Sequence, residues 1–174
     1  MSRTLLALMV PEAEPLVGDL RARLDPAAQR GLGAHITLVY PFVDSDNVDD
    51  VALERLRGVA RAHAPPSFLL DSVQAFPSTV WLKPSPGDAI VALAAALEAA
   101  FPERPRDGRA FPDYVPHLSV ARNVRGDRGV IVKTLEDRLR SSGSIPCTCR
   151  HVHVMQRASG AWRNLVSIPL GTSS

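Results

Sequence analysis

The tetrapeptide His35-Ile36-Thr37-Leu38 recurs as His117-Leu118-Ser119-Val120, 82 positions later. Each copy is followed by a helical stretch and then by two short apolar runs around a turn. Trp81 and Trp162 fall 81 positions apart in the second of those runs. A chain that twice repeats strand, helix, hairpin must bury one face of each sheet under its helices and leave the other face free. The expected architecture is therefore α+β and bilobal, with two pseudo-symmetric lobes. Each lobe carries an antiparallel sheet with helices on its outer face, and a central cleft lies between them. The expected unit is one domain over residues 1–174, its internal repeat running approximately over 30–84 and 112–170.

Periodicity and punctuation place the elements. Strands are expected at 4–10 and 35–42, with a helix at 13–24 between them. A helix over 48–63 follows, capped by Asp46 or Asn47, with an apolar stripe at Val48, Val51, Leu53, Leu56 and Val59. A hairpin, 68–76 with 79–83, turns at Pro77-Ser78, and an Ala-rich helix spans 88–101. Residues 102–116 hold too many prolines for regular structure, and a loop of that length is expected at the cleft rim, in contact with substrate. The chain then reads as a strand at 117–122, a helix at 127–141 stopped by Gly143, and a second hairpin of 146–157 with 162–170.

On a strand, residues i and i+2 share a face, so His35 projects with Thr37 and His117 with Ser119. That pairing suits a phosphate. Displacement at phosphorus needs one proton removed from the attacking oxygen and one delivered to the leaving oxygen, and two imidazoles can do both. The neighbouring hydroxyls can donate to the non-bridging oxygens. Either tetrapeptide alone is a weak signal, since a strand histidine satisfied by a hydroxyl is common in ordinary cores. The shared spacing of the copies and of the elements after them carries the weight. Two histidines near their ordinary pKa predict a bell-shaped pH profile with an optimum near pH 6 to 7.5.

These residues resemble the two-histidine (2H) phosphoesterase superfamily, whose hallmark is His-x-Thr/Ser-hydrophobic once in each half. The stretches 35–42, HITLVYPF, and 116–122, PHLSVAR, are similar to the bacterial 2'-5' RNA ligase-like, RNA 2',3'-cyclic phosphodiesterase branch. The resemblance covers the chain from Leu5 to Leu170. It implies a bilobal fold with a central cleft and no metal. It also implies opening of 2',3'-cyclic phosphates to 2'-phosphates, with weak reversible 2'-5' ligation in some members. By motif match, His35 and His117 are the acid/base pair, and Thr37 and Ser119 bind the substrate phosphate. Tyr40-Pro41-Phe42-Val43 departs from the Phe-Leu-Gly of well-known RNA cyclic phosphodiesterases. That leaves the substrate open among RNA ends, a small cyclic nucleotide, an ADP-ribose cyclic phosphate and a 2'-5' oligonucleotide.

Further candidates for substrate contact are Tyr40, Phe42, Tyr114 and Arg122. Phe76, Trp81 and Phe111 are candidates to stack a base, and Arg104, Arg106 and Arg109 to hold further phosphates. Cys147, Cys149, His151 and His153 alternate, yet consecutive same-face positions spread over roughly 20 Å, too far for one tetrahedral ion. No metal and no cofactor is expected. The net charge of +2, from 18 arginines and only 2 lysines, provides no field for tight binding of long nucleic acid. Neither Lys83 nor Lys133 stands in a nucleotide-cradling or nucleotidylation context, which argues against an ATP-driven ligase. No apolar run is long enough to span a membrane. The apolar N-terminus is followed by Pro11-Glu12-Ala13-Glu14, not a cleavage site, so a cytoplasmic monomer is expected. The competing class is a non-catalytic RNA-end or nucleotide binding module, for which two facing histidines would be a poor choice over lysine or arginine.

Overall fold

Burial along the second strand alternates: Ile36 and Leu38 are buried, whereas His35 and Thr37 between them are half-buried. This period of two makes one sheet face a core and leaves the other for chemistry. The computed structural model describes residues 2–105 and 113–171. Its strands are β1 (Thr4–Met9), β2 (His35–Val39), β3 (Ser67–Phe76), β4 (Thr79–Ser85), β5 (Leu118–Ala121), β6 (Ile145–Thr148), β7 (His151–Ala158) and β8 (Ala161–Pro169). The helices are α1 (Glu14–Leu24), α2 (Pro26–Gln29), α3 (Asp50–Arg61), α4 (Asp88–Ala100) and α5 (Arg128–Ser142).

The strands form one antiparallel sheet in the order β6-β3-β4-β5-β2-β1-β7-β8. The expected mixture of helices and antiparallel strands is thus present, but as a continuous sheet of two four-stranded halves. A single residue pair, Ile36 with Leu118, joins them at the centre. Each motif strand stands in the half built on the other copy's hairpin: β5 lies beside β4 and β3, and β2 lies with β1, β7 and β8. The helices cross over too, α1 against β5 and α4 against β2. Trp81 and Trp162 consequently occupy unlike places, one on a central strand and one on an edge strand.

One core fills the helix-covered face, where Leu6, Leu8, Ile36, Leu82, Leu118 and Val154 meet Leu20, Leu56, Leu93, Leu97 and Leu135. Burial of this apolar area drives the fold. The helix ends follow their side chains. Asp25 accepts from Ala27 N at 2.9 Å to start α2, Asp49 from Ala52 N at 2.9 Å to start α3, and Asp127 from Gly129 N at 2.8 Å to start α5. Gly143, at φ +77, ends α5.

Two local expectations are corrected. Helix α3 is capped by Asp49, not by Asp46 or Asn47, and buries Ala52, Leu56 and Ala60 on an i, i+4 stripe, so Val51 points outward at 69% exposure. The strand expected over 146–157 is two strands: β6 pairs with β3 at one end of the sheet, and β7 pairs with β1 in the other half. The link at Cys149, whose N–H donates to Pro66 O at 3.0 Å, carries the chain between halves. Cys147 and Cys149 are both buried in the helix-side core and do not share a strand face with His151 and His153. Residues 106–112 of the long loop, including Arg106, Arg109 and Phe111, lie outside the described residues.

Candidate active site

The central strand pair fixes the site. Ile36 opposite Leu118 in antiparallel register brings His35 level with Ser119 and Thr37 level with His117. All four side chains then lie on the face opposite the main core. Neighbours across antiparallel strands sit about 5 Å apart at Cβ and diagonal ones about 7 to 8 Å, so the two histidines flank a space of phosphate size.

Both imidazoles are oriented in the same way. His35 Nδ1 lies 2.8 Å from Gly33 O, and His117 Nδ1 lies 2.8 Å from Val115 O. A carbonyl only accepts, so each Nδ1 carries the hydrogen and donates. Each Nε2 is left for chemistry. Burial pushes the His35 pKa down to about 4, helped by the positive charges of Arg21 and Arg122 and opposed by the Gly33 carbonyl and Asp25. Burial also lowers His117, with the Val115 carbonyl opposing and Arg122 adding to the shift. His35 is the more strongly displaced, and Arg122 acts on both rings.

The walls differ. Beside His117, Phe76 and Trp81 stack at 4.8 Å, and both meet the imidazole edge-on, at 5.4 and 5.7 Å between centroids. Trp81 is 6% exposed, and its indole N–H has no acceptor among the described residues. Beside His35, Ala7 and Met9 on β1 stand level with Thr37 and His35. There a small second core of Leu5, Ala7, Ala27, Leu32 and Met155, with Met9 and Trp162 against it, closes over β1 and β7. Trp162 N donates to Arg30 O at 2.8 Å and holds that cover to β8.

Of the other sequence candidates, Tyr40 is exposed and its hydroxyl accepts from Arg3 Nη1 at 3.2 Å. Tyr114 is half-buried, its hydroxyl donating to the main-chain Thr37 O at 2.7 Å. Arg122 is exposed at the end of β5, and its N–H donates to Leu24 O at 3.0 Å. Phe42 is a correction: at 1% exposure, edge-on to Phe101 at 4.8 Å, it is a core residue and cannot touch substrate. Arg104 is tied to Glu98 at 2.6 Å. His153 Nδ1 bonds Ser167 Oγ at 2.9 Å, and its ring lies 6.0 Å from that of His151. Among the described residues no group of three or more His, Cys, Asp or Glu could hold a metal ion.

Sequence reasoning missed the support beneath His35. Arg21 and Asp25, 2% and 0% exposed, pair at 3.1 Å, and Glu14 Oε1 accepts from Ala34 N at 2.6 Å. The i, i+4 spacing of Arg21 and Asp25 and the Asp-Pro start of α2 were the available signals.

The fold, an antiparallel sheet with its main core under helices on one face, is shared with solved structures. Among them, E. coli LigT complexed with 3'-AMP matches at 19% identity and TM-score 0.63, covering 97% of this chain and 98% of that one. TT0787 of Thermus thermophilus matches at 15% identity and TM-score 0.64, covering 99% and 100%. E. coli LigT complexed with ATP matches at 18% identity and TM-score 0.62, covering 98% and 99%. A sequence search of curated proteins finds no match. The family model of the 2'-5' RNA ligase superfamily matches residues 9–161, and the chain belongs to that superfamily of 2H phosphoesterases. No helix among the described residues is long and apolar enough to cross a membrane.

Proposed function

We propose that the protein is a metal-independent phosphodiesterase that opens 2',3'-cyclic phosphates of RNA ends or nucleotides to 2'-phosphates, with reversible 2'-5' ligation as the parallel reaction in which a 5'-hydroxyl takes the place of water. The observation that supports this most is the β2–β5 register, which sets two identically oriented imidazoles and two hydroxyls around one phosphate-sized space. The nucleotides held by E. coli LigT, 3'-AMP and ATP, are in keeping with a ligand of this size.

The roles follow from the electrostatics. His35, pushed down to about 4, is neutral near pH 7, so its Nε2 lone pair takes a proton from water as the water oxygen bonds to phosphorus. The bond from phosphorus to the 3' oxygen breaks, and Nε2–H of His117 delivers the proton that this oxygen needs. An anionic phosphate between the rings favours the charged form of His117, whose Nδ1–H is already held by Val115 O. Thr37 and Ser119 donate to the non-bridging oxygens, where charge accumulates in the transition state. Arg122, whose charge acts on both rings, adds to the positive field around the phosphate.

The test is turnover of a panel of 2',3'-cyclic mononucleotides and cyclic-phosphate-ended RNA, with products identified and EDTA present. Formation of 2'-phosphates that persists in the chelator is expected. Binding without turnover would favour the non-catalytic module, and loss in EDTA restored by Zn²⁺ or Mg²⁺ would overturn the mechanism.

A further inference from the structure

Resting on that reading of the site, the geometry points to Lys83 as the ligand of a second phosphate on the substrate, on the 5' side of the nucleoside that carries the cyclic phosphate. Strand β4 pairs with β5 through Trp81 opposite Ser119 and Leu82 opposite Leu118. One step further, the same register brings Lys83 level with His117. As residue i+2 from Trp81, Lys83 shares the face that carries both motifs. It stands one strand from the acid/base histidine, about 4.8 Å in the sheet, with a four-carbon stem to span the remainder.

Three observations favour an anion there. Lys83 is exposed and makes no hydrogen bond or ion pair among the described residues, so its ammonium is not already committed to a carboxylate. Its cross-strand neighbour on β3 is Ser72, a further hydroxyl donor. Asp71 is the residue skipped in the β3–β4 register between Leu70 and Ser72, and it forms no ion pair with Lys83.

The opposite wall excludes the alternative direction. Beside His35 the equivalent surface is capped by Ala27, Leu32, Met155 and Trp162, an apolar cover that would strip a phosphate of water and return no charge. The part of the substrate beyond the scissile group therefore leaves over β4 and β3. A compact ammonium on a flexible stem suits a phosphate whose position varies with the nucleotide.

The test compares three substrates: a nucleoside 2',3'-cyclic phosphate, the same compound with a 5'-phosphate, and a dinucleotide ending in the cyclic phosphate. Lys83→Gln is expected to lower kcat/KM about ten-fold on the second and third, the size of one charge-assisted contact at a partly exposed site, and less than two-fold on the first. A loss on the 5'-phosphorylated compound alone would identify a terminal phosphate as the group recognised. A loss on both includes the internal phosphate of a chain. Thermal melts of the variant, expected to match the parent because Lys83 is exposed and holds no ion pair among the described residues, accompany the kinetics. Equal effects on all three substrates, or none on any, would overturn the assignment of Lys83 while leaving the chemistry in place. Failure of the parent protein to turn over any of the three would instead overturn the reading of the site itself.

Discussion

The hydroxyl of Tyr114 donates to the main-chain carbonyl of Thr37 at 2.7 Å, so the segment that delivers the second histidine is fastened to the strand that carries the first. Residues 114 and 37 are far apart in sequence and are brought together only by the β2–β5 pairing. Tyr114→Phe should cost about 1 kcal/mol of stability, since it leaves a half-buried carbonyl short of a donor. Activity should fall less than ten-fold, because the ring and the two Nδ1 bonds remain. Denaturant melts beside steady-state kinetics check both. An unchanged melt would show that water replaces the hydroxyl.

His35→Ala and His117→Ala should each lower kcat roughly 10² to 10⁴-fold while the protein stays folded, as expected for a positioned base or acid. The double variant should be little worse than either single one, because both proton transfers serve one displacement. Additive losses would mean that the two rings serve separate steps.

Thr37→Ala and Ser119→Ala should each cost roughly 10 to 10³-fold, through loss of a donor aimed at developing charge. Both hydroxyls are half-buried on the face away from the main core, so thermal melts should move little. A variant that loses stability but not rate would assign its hydroxyl to structure.

The shared face of the motif residues was legible because a period of two in sequence becomes one face in space. His35 with Thr37, and His117 with Ser119, needed no tertiary information. Which strands would be neighbours was a different matter. The pairing of β2 with β5 joins segments 82 positions apart, and nothing local states that each motif strand sits with the other copy's hairpin. The break at Cys149 did leave a trace: the apolar alternation runs through Ile145, Cys147 and Cys149 and then shifts by one to Val152 and Val154, at the link that moves the chain from one end of the sheet to the other half. Phe42 looked available because it follows the motif, yet an aromatic residue just past a strand end has a core to enter, here edge-on to Phe101. The burial that displaces both histidine pKa values is likewise a tertiary effect, and it changes the expected pH behaviour.

Burial holds His35 near 4 and lowers His117 from its ordinary 6.5, so the free enzyme with His35 neutral and His117 protonated is most populated above about 4 and up to a point below 6.5. The kcat/KM optimum should therefore lie on the acid side of 6.5, below the pH 6 to 7.5 expected from unperturbed imidazoles, with apparent pKa values that belong to the pair. Stability should carry the same signature. A folded-state pKa below the unfolded value means that the unfolded chain binds the proton more tightly, so His35 contributes full stability above 6.5 and loses it as pH falls towards 4. His35→Gln should flatten that limb of a plot of melting temperature against pH, whereas Thr37→Ala should leave it. A parent protein with constant stability from pH 6.5 to 4, or an optimum of kcat/KM above 7, would show that His35 keeps an ordinary pKa and that the base must be assigned on other grounds.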